Sequence, residues 1–276
     1  MQYYYLLSSL YDISLEAEKV GNTLEEVWNL CAEEMTEKDF EGLRSLFLFN
    51  DIANAVNYGK PDFVYQYPAY YTQEEFEENM KDSESFLPFL AEYWFAYQSE
   101  RRIYPDLLPE EELTVLLYEH LDDFSDVFVR EYYEREAHLR NIKAGLVARR
   151  YHRPMERAML PVGEFSDLMR RSSSPDFGVG GEFEFIEKAA QMYESGRLLE
   201  MELLFDEVRW KWLEERVMLE PFSAHEVYSY VLRLAMVTRW LSLVTEEGKK
   251  KLQSLIHSIE SKIVFSHEFD IRQGRK

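Results

Sequence analysis

A chain of 276 residues that is 46% hydrophobic and 30% charged has enough apolar surface to offset chain entropy, so it folds, as one large domain or a few small helical ones. Its lone cysteine, Cys31, excludes an intramolecular disulfide and a cysteine-based zinc or iron–sulfur site, which fits a reducing compartment. The formal charge of −21 is uneven: residues 1–139 carry 31 acidic and 9 basic side chains, whereas 140–276 carry 21 and 22, and the acidic half repels phosphate backbones and anionic lipid.

The start, Met1 to Leu10, has no basic residue before its short apolar run and so lacks the charged opening of a secretory signal. Tyr3 to Leu6 leans toward a short strand by composition, as does Ile263 to Phe265. Thr23 with Glu26 forms a capping box that opens a helix over Leu24, Val27, Trp28, Leu30 and Cys31. Thr36 opens a second helix, whose stripe of Phe40, Leu43, Phe47, Ile52 and Val56 runs to a stop at Tyr58-Gly59-Lys60-Pro61. Pro61 to Tyr71 reads as an ordered, tyrosine-rich loop, and Thr72 with Glu75 caps a short acidic helix. Helices follow over Phe86 to Gln98, Pro109 to Leu121 and, as the longest, Asp126 to Tyr151, which should bury one face while Glu131–Arg135 and Glu136–Arg140 pair along it.

Between Arg171 and Glu182 the serines, Pro175 and the glycines give the strongest linker signal, placing the main boundary there. Beyond it come helices at about 183–194, 197–217, 223–244 (capped by Ser223 with Glu226) and 246–264. The apolar run Val231 to Val244 is interrupted by Arg233 and Arg239 and is too short to span a bilayer.

Catalytic and metal patterns are missing. None of the six histidines follows a glutamate by three positions, so the di-iron bundle pattern fails, as does His-Glu-x-x-His. There is no Walker loop. Gly178-Val179-Gly180-Gly181 could present N–H groups to a phosphate, but Glu182 and Glu184 would oppose the anion, so a flexible linker is the better reading. Cys31 sits at an apolar helix position, as a small hydrophobe does. His225 with Glu226 reads as a helix start, and His120 with Asp122 and Asp123 as a charged helix end. The adjacent pairs Trp94-Phe95 and Trp210/Trp212 can each send one ring to the core and one outward. One basic stretch stands out, with Arg140, Lys143, Arg149, Arg150, Arg153, Arg157, Arg170 and Arg171. It is either a solvated face balancing the acidic half or a docking surface for an acidic partner.

The segment Arg130-Glu131-Tyr132-Tyr133-Glu134-Arg135-Glu136-Ala137-His138-Leu139-Arg140-Asn141-Ile142 resembles the repeated helix of the V/A-type ATPase rotor adaptor, the part lettered C in prokaryotes and d in eukaryotes. Glu37-Lys38-Asp39 with Leu43-Arg44 and Asn50-Asp51 resembles a first copy, and Ser223 to Val231 with Trp240 a helix start in the last. Tyr3 to Leu10, Leu43-Arg44, Glu131-Tyr132-Tyr133-Glu134 and Arg209-Trp210-Lys211-Trp212-Leu213 also look similar to an uncharacterised bacterial family encoded among V-type ATPase genes, a likeness that spans most of the chain. The resemblance implies helical hairpins that seat on the membrane rotor ring and receive the central stalk.

The expected fold class is therefore all-α, helical hairpins in a multi-helix array with the option of weak internal repeats. Its regions are 1–171, a linker at 172–182 and 183–276, or these pack as one domain. The expected function is a non-catalytic adaptor resembling that rotor part of a V/A-type ATPase, with no cofactor or metal, cytoplasmic or held at the inner membrane through its partners, the central-stalk and membrane-ring subunits. Arg140, Lys143, Arg149, Arg150, Arg153 and Arg157 are the expected partner-binding residues. A free-standing helical scaffold or regulatory module is the alternative. An enzyme using a carboxylate pair in a helical cleft is a third class.

Overall fold

A computed structural model describes residues 2–82 and 85–244, and among them every regular element is helical. In chain order the α-helices are α1 (Tyr4–Ser8), α2 (Leu24–Glu34), α3 (Glu37–Ser45), α4 (Leu48–Asn57), α5 (Gln73–Asn79), α6 (Pro88–Gln98), α7 (Pro109–Glu119), α8 (Val127–Arg150), α9 (Met155–Ala158), α10 (Gly163–Arg171), α11 (Ile186–Glu194), α12 (Leu198–Val217) and α13 (Ala224–Val244). The helix expected at 246–264 and the strand at 263–265 lie outside the described residues.

Local chemistry sets most of the starts. Thr23 accepts the Glu26 N–H at 3.2 Å while Glu26 accepts the Thr23 N–H at 2.8 Å, and Thr72 with Glu75 repeats both distances. Pro88 and Pro109 occupy first-turn positions, where a missing N–H is harmless. Asp126 caps α8 by accepting the Phe128 N–H at 2.8 Å. The expected strand at Tyr3 to Leu6 is instead the helix α1: no strand lies beside it among the described residues, and Leu7 N–H closes a turn on the Tyr3 carbonyl at 3.0 Å.

The second expected helix is broken in two, with α3 ending at Ser45 and α4 starting at Leu48. The fully buried Tyr133 of α8 supplies the reason. Its hydroxyl donates to the Ser45 carbonyl at 2.7 Å and accepts the Leu48 N–H at 3.0 Å, satisfying the backbone groups that the break exposes.

Two hydrophobic cores result. The first gathers side chains of α1 to α7 with Phe128 and Tyr133 of α8, Leu213 and Val217 of α12, and Val227 to Leu234 of α13. The second is built from Leu139, Ile142 and Leu146 of α8, Met169 of α10, Ile186 and Ala189 of α11, and Met201, Leu204 and Phe205 of α12. Both α8 and α12 thus change neighbours along their length. The single buried face expected for α8 gives way to buried positions that turn around it, from Phe128 and Tyr133 to Asn141, Gly145 and Ala148. The segment 172–182 sends Phe177 and Val179 into the second core, with Phe177 held at a φ of 60° in the left-handed region.

Three ion pairs tie α8 to α12 in antiparallel order: Glu131 to Arg216 at 2.5 Å, Glu136 to Arg209 at 2.6 Å and Lys143 to Glu202 at 2.6 Å. They run from the first core to the second. At the centre Glu136 takes Arg209 with both oxygens, Asp206 accepts Arg209 at 2.9 Å and the Trp240 indole at 2.7 Å, and Arg239 of α13 also reaches Asp206. Burial opposes the charge on Arg209, yet Glu136 and Asp206 hold its pKa above the usual arginine range.

Other buried polar groups fasten loops to helices. Asp51 accepts the N–H groups of Tyr70 at 2.7 Å and Tyr71 at 3.2 Å. Glu112 accepts those of Ile103 at 2.8 Å and Tyr104 at 2.9 Å and pairs with Arg102. Asn54 grips both backbone groups of Gln66, at 2.7 and 3.1 Å, and Asn141 grips both of Leu160, at 2.9 and 3.0 Å. Each asparagine mimics a peptide strand, pairing the loop that follows its helix.

Candidate interaction surfaces

The basic residues of α8 and the segment after it separate into two groups. Lys143 is drawn inward, onto Glu202 and over the Phe205 ring at 4.6 Å, and Arg140 turns toward Thr114 of α7 at 3.4 Å. Near the end of α8, Arg149 lies 3.7 Å over the Phe177 ring and donates to the carbonyls of Ser174 and Pro175. Arg150 donates to the Glu194 carbonyl at 3.0 Å, at the carbonyl end of α11, and lies over Tyr193. Arg153 lies over the Tyr151 ring and is exposed, as is Arg157. Among the described residues no carboxylate comes within 4.0 Å of Arg140, Arg149, Arg150, Arg153 or Arg157, so their charge is solvated or directed at backbone carbonyls and, for Arg140, at the Thr114 hydroxyl.

A second surface is apolar. Where α1 meets the turn between α12 and α13, the Tyr3 N–H donates to the Phe222 carbonyl at 2.6 Å and the Tyr4 ring packs on Phe222 at 4.9 Å. Tyr4 and Tyr5 are 54% and 86% exposed there, and Met218 and Leu219 in the adjoining turn are 71% and 86% exposed. Tyr3 turns the other way, donating to Asp39 at 2.5 Å. Adjacent aromatics divide as helical geometry requires: Trp212 joins the first core while Trp210 bonds Glu214 at 2.8 Å, and Phe95 is 71% exposed beside the half-buried Trp94.

Titratable side chains meet in a cleft of about 230 Å³ between α3 and the α7–α8 connection, lined by Lys38, Glu41, His120, Asp123 and Asp126. Three of them are tied to titratable partners, His120 to Asp123 and Asp126 to His225, while Glu41 accepts from the Tyr70 hydroxyl. His120 bonds Glu92 at 2.9 Å and Asp123 at 2.7 Å, the charged helix end expected from sequence. Burial opposes its charge, but the two carboxylates raise its pKa above the ordinary histidine value. His225, expected only to start a helix, bridges Asp126 at 3.2 Å and Glu220 at 2.6 Å, joining the cap of α8 to the α12–α13 turn. Asp126 raises the His225 pKa most, with Glu220 adding to it against the opposing effect of burial.

The sign of that shift fixes a pH dependence. A histidine raised above its unfolded pKa of about 6.5 stabilises fully below that pH and loses its contribution as pH rises through the folded pKa. His225→Gln should therefore lose less stability than the parent between pH 5.5 and 8.5, read as urea midpoints at each pH. His120 shares the sign and remains in both proteins, so the difference isolates His225. His138, pushed down to about 4 by burial and by Arg135, acts on the acid side and is also common to both.

Cys31 is fully buried, and burial pushes its thiol up to about 12, in keeping with a core position. Among the described residues no three histidine, cysteine or carboxylate side chains are grouped to hold a metal ion, and no helix is long and apolar enough to cross a membrane. Sequence reasoning missed Asp206, Glu112 and Asp51 as buried polar centres, and the half-buried Arg209 as the partner of Asp206. Asp206 carried a signal, since it directly follows Leu203-Leu204-Phe205 in an apolar stretch.

Among the residues that prompted the expected likeness to the ATPase rotor part, Asp39, Asp51, Tyr133, Glu136 and Asn141 make such internal fastenings. No curated protein and no solved structure matches the chain. A family profile matches residues 1–263, and the chain accordingly belongs to the DUF2764 family, described as a protein of unknown function.

Proposed function

We propose that this chain is a non-catalytic adaptor that joins other proteins, and that its partners are the central-stalk and membrane-ring subunits of a V/A-type ATPase. The observation that carries the adaptor reading is the apolar corner where Tyr4, packed on Phe222 and beside Tyr5, meets the turn that carries Met218 and Leu219, because large apolar side chains so exposed at one junction are characteristic of surfaces that another protein covers. The choice of partners is supported by the resemblance of Arg130 to Ile142 and its echoes to the rotor adaptor of those ATPases. An adaptor between moving parts must transmit force without bending. The ladder of ion pairs between α8 and α12, running through both cores, suits that task.

Affinity capture with the tagged full chain, from detergent-solubilised membranes that contain the intact ATPase, should recover central-stalk and ring subunits together. Their absence from the eluate would remove the ATPase reading. Stoichiometric recovery of other proteins in their place would favour a free-standing scaffold.

A further inference from the structure

We propose that the arginine–tyrosine cluster at the C-terminal end of α8 is a docking point for a short acidic segment of a partner protein. It rests on the adaptor reading for its place in an assembly, though not for the binding itself. Four side chains form the cluster. Arg150 lies 5.4 Å over the Tyr193 ring and Arg153 5.8 Å over the Tyr151 ring, and Tyr151 reaches Tyr193 closely enough to raise its pKa, after burial, which raises it most. Guanidinium groups within cation–π reach of rings are biased toward one orientation before a partner arrives, so less side-chain entropy is lost when they grip a carboxylate with two parallel N–H bonds.

Charge decides the class of partner. No carboxylate lies within 4.0 Å of either arginine among the described residues, and this end of α8 is the one strongly basic stretch in a chain of net charge −21. An extended polyanion such as a membrane surface or a nucleic acid would meet the repulsion of the acidic half. A short acidic segment meets only the local field, and its carboxylates find the open guanidinium of Arg153 and the edge of Arg150 that the Glu194 carbonyl leaves free. Tyr151 is 38% exposed, which leaves apolar ring surface beside the charges for a neighbouring apolar side chain.

The test uses the purified full chain with a fluorescein-labelled peptide of Glu-Glu-Leu repeats and its Gln-Gln-Leu counterpart, followed by fluorescence anisotropy. The acidic peptide should bind, weaken with added salt, and bind at least about tenfold less tightly to Arg153→Glu. Arg153 makes no side-chain hydrogen bond to the rest of the described fold, so the variant should melt as the parent does, whereas Arg150 holds the end of α11 and is the poorer choice. Equal binding of the glutamine peptide, unchanged affinity in Arg153→Glu, or stronger binding to phosphatidylserine vesicles than to the peptide would overturn the proposal. The adaptor reading fails separately. If rotor subunits are not captured but the peptide still binds and Arg153→Glu abolishes it, the docking point stands and the partner is another protein; if Arg153→Glu captures rotor subunits as well as the parent and binds the peptide equally, only the docking point falls.

Discussion

Arg209→Met is expected to lower the stability of the fold by about 2–3 kcal/mol, below the full loss for a fully buried ion pair because the Arg209 and Glu136 side chains keep 20% and 13% exposure. Glu136 would lose both of its bonds to the guanidinium, and Asp206 would lose one, while Asp206 stays buried and Glu136 half-buried at the joint between α8 and α12. The larger share of the loss falls on Glu136, because Asp206 keeps Arg239 and the Trp240 indole. Adding Glu136→Met to Arg209→Met should therefore recover part of the stability, since no unpaired carboxylate is then left and methionine fills the space. Urea denaturation of the parent, the single and the double variant reads this directly. A single variant as stable as the parent would mean that the pair is solvated and the ladder unimportant.

Tyr133→Phe should cost about 2–4 kcal/mol, although it removes one oxygen and leaves the ring in place. The hydroxyl serves two backbone groups at once, the Ser45 carbonyl and the Leu48 N–H, and neither has water to replace it. An unsatisfied buried donor or acceptor costs about 1–3 kcal/mol, so two of them account for the expected loss. Amide hydrogen exchange offers a local readout. Protection should fall first at Leu48 and in the opening turn of α4, and later, if at all, in α2. Uniform loss across the chain would show that the hydroxyl acts only on global stability and does not hold this break.

What the sequence disclosed followed local rules. The capping boxes at Thr23 and Thr72, the proline starts of α6 and α7, the Asp126 start of α8 and the core position of Cys31 all depend on residues within one or two turns of each other. What it concealed depended on distant partners. The break between α3 and α4 is made by a tyrosine 85 residues away from Leu48, and nothing in the run from Phe40 to Val56 marks it. The strand expected at Tyr3 to Leu6 failed because β-leaning composition needs a neighbouring strand, and α1 has only helices and the turn at Phe222 beside it. The helix α10 was missed inside the stretch before the linker signal, where Gly163 and the exposed Asp167 and Leu168 disguised its buried side, Ser166 and Met169.

The candidate surfaces were legible only in part. The sequence marked out the arginines as a group but could not say which of them the fold would use. Lys143 and Arg149 are engaged by Glu202 and by the carbonyls of Ser174 and Pro175, while Arg153 and Arg157 remain open, and that division follows from α12 and the segment 172–182 lying against α8. The apolar corner was invisible, because Tyr4, Tyr5, Met218 and Leu219 come from opposite ends of the described chain. Of the polar marks that suggested a family resemblance, Asp51 and Asn141 are buried and Glu136 is half-buried, and each fastens one part of the fold to another.

On the adaptor proposal, the interior holds this protein together and its outer surfaces do its work. Capture of rotor subunits by the double variant Tyr5→Ser/Leu219→Ser, measured beside its melting temperature, tests that division most directly. The expected result is an unchanged melting temperature with partner recovery reduced to background. Full recovery of the partners by that variant would contradict it.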